Sequence, residues 1–295
     1  MFGYFQYILI KAFSLLVNFL PEDIALRLGR FLGGIAFFLD KDHRNVAIEN
    51  LTIAFGKEKS EEEIRSIAKK AFQNMGLTAV EFFRIPKMDI ESFKKRIIIK
   101  GIENVKETIE NRKNGVLLLL SHLGNWEMMG VLPKFLGLPI SVVVRPIKKN
   151  RWLNRMVFKI RESCGIEIID KERASKRIIH SLSENRFVGI LIDQRAKRSE
   201  CVWVDFFGKR APTTPALAVL AMRTGAPILP VFMVRNGFKR HILFVKKPIP
   251  IVHTGDIKND VKTNTQMINN TLEEMIRQYP DQWFWVHRRW ERKRN

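Results

Sequence analysis

The segment Gly115-Val-Leu-Leu-Leu-Leu-Ser-His-Leu-Gly-Asn-Trp-Glu127 runs through five apolar residues and then changes character at Ser121. An apolar run of that length, bounded by a turn signal, reads as a strand buried on both faces. Gly124 and Asn125 suit a tight turn and a helix N-cap. The stretch therefore reads strand, then His122, then a turn, then a helix with Glu127 in its first turn. His122 falls at the C-terminal end of the strand, where open α/β sheets place their sites.

Outward from this segment the same alternation continues. Val116 to Leu120, Ile140 to Val144, Ile166 to Ile169, Val188 to Ile192 and Ile228 to Val234 read as strands. Helical patterns lie between them, near 125–135, 151–163, 173–184 and 215–224, the last stopped at Gly225. That order predicts an α/β fold with a mixed, mostly parallel sheet flanked by helices. Ser60-Glu61-Glu62-Glu63 opens an earlier helix like a capping box. Ile268, Leu272, Met275 and Ile276 mark a final amphipathic helix. No repeat, low-complexity tract or Gly/Ser linker interrupts the 295 residues.

The N-terminus is different in kind. Phe2 to Leu20 is almost entirely apolar, interrupted mainly by Gln6, Lys11 and Asn18, and Pro21 ends the run. As a helix it would reach ~28 Å, about one bilayer core. No basic residue precedes the run and no small-residue cleavage site follows, so it makes a poor signal peptide. Ile24 to Leu39 is amphipathic, and Arg27, Arg30, Lys41 and Arg44 would face the cytoplasm. The expected organisation is a membrane-anchoring helical segment over 1–40, spanning or interfacial, and a catalytic domain over 41–295. The alternative is a helical hairpin packed on the core.

Composition narrows the partners. Lys and Arg number 51 against 30 Asp and Glu, a formal charge of +21, which favours anionic lipid, an acidic carrier protein or nucleic acid. Cys164 and Cys201 form no CxxC pair and read as buried thiols. The six histidines show no metal-ligand spacing, so no metal is expected.

The chemistry concentrates at His122. A histidine near neutral pH, oriented by a carboxylate, is a general base able to take a proton from a hydroxyl. Glu127 is positioned to fold back, fix the tautomer and stabilise the imidazolium, and free helix N–H groups could bind an oxyanion. The same spacing also suits a capping His and a Glu at the positive end of a helix. Arg145 ends a strand and could grip a phosphate, or lie on the surface. Asp193 also ends a strand; it could orient a sugar, assist His122 or be structural. Arg195, Lys197 and Arg198 suit an anionic head group, a carrier protein or simply solvent. Thr213 and Thr214 precede Pro215 as helix caps or site-lining hydroxyls. Trp283, Trp285, Trp290 and their basic neighbours read as interfacial or packed.

Several blocks together carry a resemblance. They are His43-Arg44-Asn45-Val46, Glu49-Asn50-Leu51, Ala54-Phe55-Gly56, Ser121 through Glu127, Val144-Arg145-Pro146 and Asp193-Gln194. Phe206-Phe207-Gly208, Pro212-Thr213-Thr214-Pro215, Gly225-Ala226-Pro227 and Trp283 through Arg289 complete the set. Over nearly its whole length the chain resembles the bacterial lipid A late acyltransferases, the lauroyl and myristoyl transferases of lipopolysaccharide synthesis. These belong to a superfamily with glycerophospholipid acyltransferases that carry His-x4-Asp; Glu at the last position favours the lipid A branch. The resemblance implies O-acyl transfer by His122 and Glu127 from acyl carrier protein or acyl-CoA to an anionic glycolipid at the inner membrane. It implies no cofactor, and a catalytic domain on the cytoplasmic face. A related branch acylates phosphatidylinositol mannosides, so that or a lysophospholipid is the alternative acceptor. A basic nucleic-acid-binding protein is the non-enzyme alternative, but no nucleic-acid motif supports it. A catalytically dead protein of this fold would be favoured by a Glu127 unable to approach His122.

Overall fold

The computed structural model describes residues 2–290. The basic residues beyond Trp290 lie outside them. The N-terminal half is mainly helical: α1 (Phe2–Phe19), α2 (Glu22–Leu39), α3 (Lys41–Phe55), α4 (Glu61–Arg84) and α5 (Ile90–Arg96). Strands and helices then alternate: β1 (Ile97–Lys100), α6 (Ile102–Asn111), β2 (Val116–Leu120), α7 (Leu132–Leu136), β3 (Ile140–Val144), α8 (Arg151–Glu162), β4 (Glu167–Asp170), α9 (Ala174–Ser183) and β5 (Phe187–Leu191). A hairpin of β6 (Val202–Phe206) and β7 (Lys209–Thr213) follows, then α10 (Ala216–Thr224), β8 (Ile228–Asn236), β9 (Arg240–Val245) and α11 (Ile257–Gln278).

The described residues form a seven-stranded sheet in the order β1-β9-β8-β2-β5-β3-β4. Every adjacent pair is parallel except β8 and β9, so the sheet is mixed and mostly parallel. The five expected strands are all present. β1, β9 and the β6–β7 hairpin were not expected. At the centre, all of β2 is buried. Its residues alternate between two cores. Leu117 and Leu119 join one cluster with α3, α4, α9, α10 and α11. Val116, Leu118 and Leu120 join the other with α5, α7 and α8. Fully burying each such side chain contributes ~1.5–3 kcal/mol, so this strand is anchored on both faces.

The capping box forms as read: the Glu63 N–H donates to Ser60 Oγ and the Ser60 N–H to Glu63 Oε2. The expected helix over 125–135 does not form. Gly130 and Pro133 interrupt it, leaving a 3-10 turn over Met128–Val131 and the short α7. Of the N–H groups expected there for an oxyanion, that of Met128 is given to Asn125 Oδ1. Cys164 is buried as expected, whereas Cys201 is half-buried.

The two N-terminal helices pack on α4. Val17, Ala25 and Leu26 meet Leu77 and Val80 in a small cluster of their own. The α2–α4 approach is close because glycine faces glycine: a Cβ on Gly76 would lie 2.1 Å from the Gly29 carbonyl oxygen. The outer faces are apolar and exposed, with Tyr4, Phe5, Leu15, Phe19, Phe31, Phe38 and Leu39 open to solvent. Among the described residues no helix is long and apolar enough to cross a membrane.

Candidate active site

Two adjacent parallel strands bring the principal groups together. β2 and β5 pair in a register that sets Leu120 opposite Leu191. His122 and Asp193 each lie two residues further on, so both leave the sheet edge at the same level. Asp193 Oδ1 lies 2.9 Å from His122 Nδ1, and Oδ2 accepts the His122 backbone N–H at 2.9 Å. Trp283 Nε1 donates to the same Oδ2 at 2.8 Å. The carboxylate is 1% exposed and the imidazole 20%. Burial pushes the Asp193 carboxyl up, but the His122 charge and these hydrogen bonds outweigh it and hold the group below the usual carboxylate range. An ionised Asp193 accepts the Nδ1 proton, which leaves Nε2 as the basic nitrogen.

Glu127 does not hold this ring. Arg161 of α8 binds both its oxygens, Nη2 to Oε1 at 2.6 Å and Nε to Oε2 at 3.1 Å. The expectation that Glu127 orients His122 is thus corrected. The charge-matched, bidentate geometry of a guanidinium fixes the carboxylate elsewhere, and Asp193 orients the ring. Glu127 is thus held off the ring, the arrangement named above as favouring a catalytically dead protein, but the imidazole has a buried carboxylate partner in Asp193 instead.

The loop carrying His122 is braced on several sides. Gly124 has φ +64°, and a Cβ there would lie 2.1 Å from the Met233 carbonyl oxygen, so only glycine fits against β8. The Asn125 N–H donates to that same carbonyl, and its side-chain Nδ2 donates to Glu81 Oε2 at 2.7 Å. Glu81 is buried and also receives Arg235 Nη1 at 3.0 Å and Nη2 at 2.5 Å. Burial pushes Glu81 up; the charges of His241 and Arg235 more than offset this and hold it at about 2. The Phe284 N–H donates to the His122 carbonyl at 3.0 Å, and the Gly124 N–H to Gln282.

His122 opens onto a cavity of about 700 Å³. Its floor is apolar, with Leu118 and Leu120 of β2, Val142 of β3 and Ile168 of β4. Glu127 and Arg161 stand in its wall, beside Trp126 and Phe284. Both aromatic rings lie against the imidazole, with centroids 5.2 and 5.7 Å away. A histidine base held by a buried carboxylate at the end of an apolar cavity is suited to moving a proton next to a long hydrocarbon.

Residues 1–292 match the family model described as bacterial lipid A biosynthesis acyltransferase. The chain belongs to that family. It is 24% identical to lipid A biosynthesis acyltransferase 2 of Shigella flexneri, over 97% of this chain and 88% of that protein. It is 25% identical to the lipid A biosynthesis lauroyltransferase of Escherichia coli, over 94% of this chain and 88% of that protein. It is 29% identical to the phosphatidylinositol mannoside acyltransferase of Mycolicibacterium smegmatis, over 71% of this chain and 67% of that protein. The protein is therefore an acyltransferase.

The remaining expected residues of this lipid A acyltransferase family member fall on both sides of the site. Arg145 and Arg195 line the cavity and are exposed, with Lys171 also in the lining. Burial, and the like charges of Arg145 and Lys197 only partly offset by Glu200, hold the Lys171 ammonium below its usual range. Thr214 lines the cavity, and its hydroxyl accepts the Ala216 N–H. Thr213 is fully buried, and Arg289 Nη2 donates to its Oγ1 at 2.6 Å, so it does not face the cavity. Trp283, Trp285 and Trp290 are all buried, which corrects the interfacial reading in favour of packing. The contact of Trp283 with Asp193, and Arg161 altogether, escaped the sequence reading because each meets its partner only in the fold, 90 and 34 residues away.

Proposed function

We propose that this acyltransferase carries a fatty acyl chain from a thioester, on acyl carrier protein or on coenzyme A, to a hydroxyl of a lipid A precursor. His122 Nε2 takes the proton of the acceptor hydroxyl as its oxygen attacks the thioester carbonyl carbon. Asp193 keeps the ring in the required tautomer and stabilises the imidazolium. Collapse of the tetrahedral intermediate breaks the C–S bond, and the leaving sulfur takes the proton back from the imidazolium. The observation that carries this reading is the His122–Asp193 pair at the end of an apolar-floored cavity. Glu127 is assigned a positioning role, holding Arg161 in the cavity wall. Arg145, Lys171 and Arg195 give the mouth a positive charge suited to a phosphorylated donor or acceptor.

Work at the cytoplasmic face of the inner membrane is part of the proposal. The exposed aromatic and aliphatic side chains of α1 and α2 support interfacial seating, with apolar side chains in the lipid and Arg27 and Arg30 near its anionic surface. Deleting residues 1–20 should move the protein from membrane to soluble fractions, and unchanged tight binding would refute that assignment. The deciding experiment is an assay in detergent with labelled acyl carrier protein and acyl-CoA against a panel of acceptors, read by mass spectrometry. Transfer to a phosphatidylinositol mannoside in preference to a lipid A precursor would favour the acceptor named for the mycobacterial relative. No transfer to any lipid hydroxyl would overturn the reading.

A further inference from the structure

Three recesses of the protein meet around Phe284 and His287. The first is the catalytic cavity. The second, of about 310 Å³, is lined by Asp42, His43, Val46, Arg195, Val286, His287 and Arg288. It shares Arg195 and His287 with the catalytic cavity. The third, of about 430 Å³, is an apolar slot between α2 and α4, lined by Leu32, Ala36, Phe72 and Met75 among others. It shares His43 and Val286 with the second recess and Phe284 with the catalytic cavity. Leu32 is also exposed on the outer face of α2 beside Phe31. The slot therefore opens on the apolar surface of the N-terminal helices and runs inward to the imidazole.

We propose that this path is the seat of the acceptor lipid, with one of its acyl chains in the α2–α4 slot and its anionic head in the basic recess. The inference rests on the acyltransferase reading and specifies where the second substrate lies. Charge and polarity both fit such an amphiphile. The recess sets the guanidiniums of Arg195 and Arg288 against one lining carboxylate, Asp42, with Glu49 4.0 Å from Arg288. His43 is held at Nδ1 by Asp40 at 2.7 Å. His287 stands on the wall common to the recess and the catalytic cavity, and its buried Nδ1 has no hydrogen-bond partner. An unpartnered buried nitrogen on a residue that lines both spaces marks His287 as a contact for the acceptor head. A lipid seated this way enters from the apolar face, while the floor beneath β2, β3 and β4 stays open for the donor chain. The two chains approach His122 from opposite sides of Phe284.

The test uses the full chain in detergent, with labelled acyl carrier protein as donor and two acceptors: a phosphorylated glycolipid and its deacylated, water-soluble counterpart. Ala36→Trp fills the slot and should raise the KM for the glycolipid at least about tenfold. It should leave the donor KM and the KM for the deacylated acceptor within about twofold. Arg288→Gln should raise the KM for both acceptors, and less for a dephosphorylated glycolipid. A rise in donor KM alone would overturn the proposal by assigning the slot to the donor chain. Unchanged constants in a folded Ala36→Trp protein would overturn it as well. A glycolipid bearing a diazirine in one chain, photolysed on the wild-type protein, should label residues 29–36 and 72–79. Labelling only of the β3–β4 floor would refute the seat. Labelling needs no turnover, so it judges this proposal even where the transfer assay rejects the acyltransferase acceptor.

Discussion

Asp193→Asn discriminates most sharply between two carboxylates that could serve one histidine. Asp193 Oδ1 faces His122 Nδ1, while Oδ2 takes two N–H donors, from His122 itself and from Trp283. An asparagine has one acceptor oxygen for these three donors. With that oxygen on the Nδ1 side, two buried N–H groups face an amide NH2, at ~1–3 kcal/mol each. With it on the other side both stay satisfied, and the NH2 is set against Nδ1. The second arrangement wins, and it forces Nδ1 to accept. The ring proton then moves to Nε2, and the base is lost. In the serine-protease template the same exchange costs ~10⁴-fold, which is about 5.5 kcal/mol at 1.36 kcal/mol per factor of ten. The expected outcome here is a fall in kcat of ~10³–10⁴-fold with little change in Tm. Transfer from a labelled acyl donor to a phosphorylated glycolipid measures it, beside Glu127→Gln as the comparison. A loss below about tenfold for Asp193→Asn, together with a deep loss for Glu127→Gln in folded protein, would refute the assignment of Asp193 to the ring.

His122→Ala should lower kcat by ~10²–10⁴-fold in a folded protein; wild-type turnover would end the mechanism. Trp283→Phe keeps most of the packing and removes one N–H from Asp193; a hydrogen bond to a charged group contributes ~1.5–3 kcal/mol, so kcat should fall about tenfold or more. His287 is held at about 4 by burial, with Asp193 opposing and His122, Arg195 and Arg289 reinforcing it, whereas its ordinary value is 6.5. Between these values the unfolded chain binds a proton that the folded one refuses, so stability is unaffected above 6.5 and falls as pH drops towards 4. The loss of Tm between pH 7 and pH 5 should accordingly be smaller in His287→Gln than in wild type. If the positive charge steers an acidic carrier, kcat/KM with acyl carrier protein should drop steeply with salt and in Lys197→Glu/Arg198→Glu, while a small acyl thioester is spared.

Much of the sheet was readable because its central strands are buried on both faces and appear as unbroken apolar runs. β9 was not, since Arg240 and His241 break its run; nor was β1, four residues directly after a helix. The β6–β7 hairpin turns through Phe207 and Gly208, both at positive φ, and a phenylalanine there gives no turn signal. At the site, sequence proximity favoured Glu127 as the partner of His122. Parallel register decided for Asp193, which is 71 residues away but directly across from the ring. Arg161, one of several basic residues on α8, carried nothing in the sequence to show that it would capture Glu127.

The tie between the His122 loop and Gln282, Trp283 and Phe284 also sets an order of events during synthesis. The apolar helices α1 and α2 leave the ribosome before the seven-stranded sheet, whose last strand is β9. Yet the Asp193 carboxylate lacks one of its donors, and the His122 carbonyl its partner, until the chain has grown to Phe284. At ~5–20 residues per second that point comes roughly 12–50 s after α2. A nascent chain thus has its apolar N-terminal helices long before His122 and Asp193 have all their partners, and a chain cut short at residue 281 would lack the Trp283 and Phe284 donors.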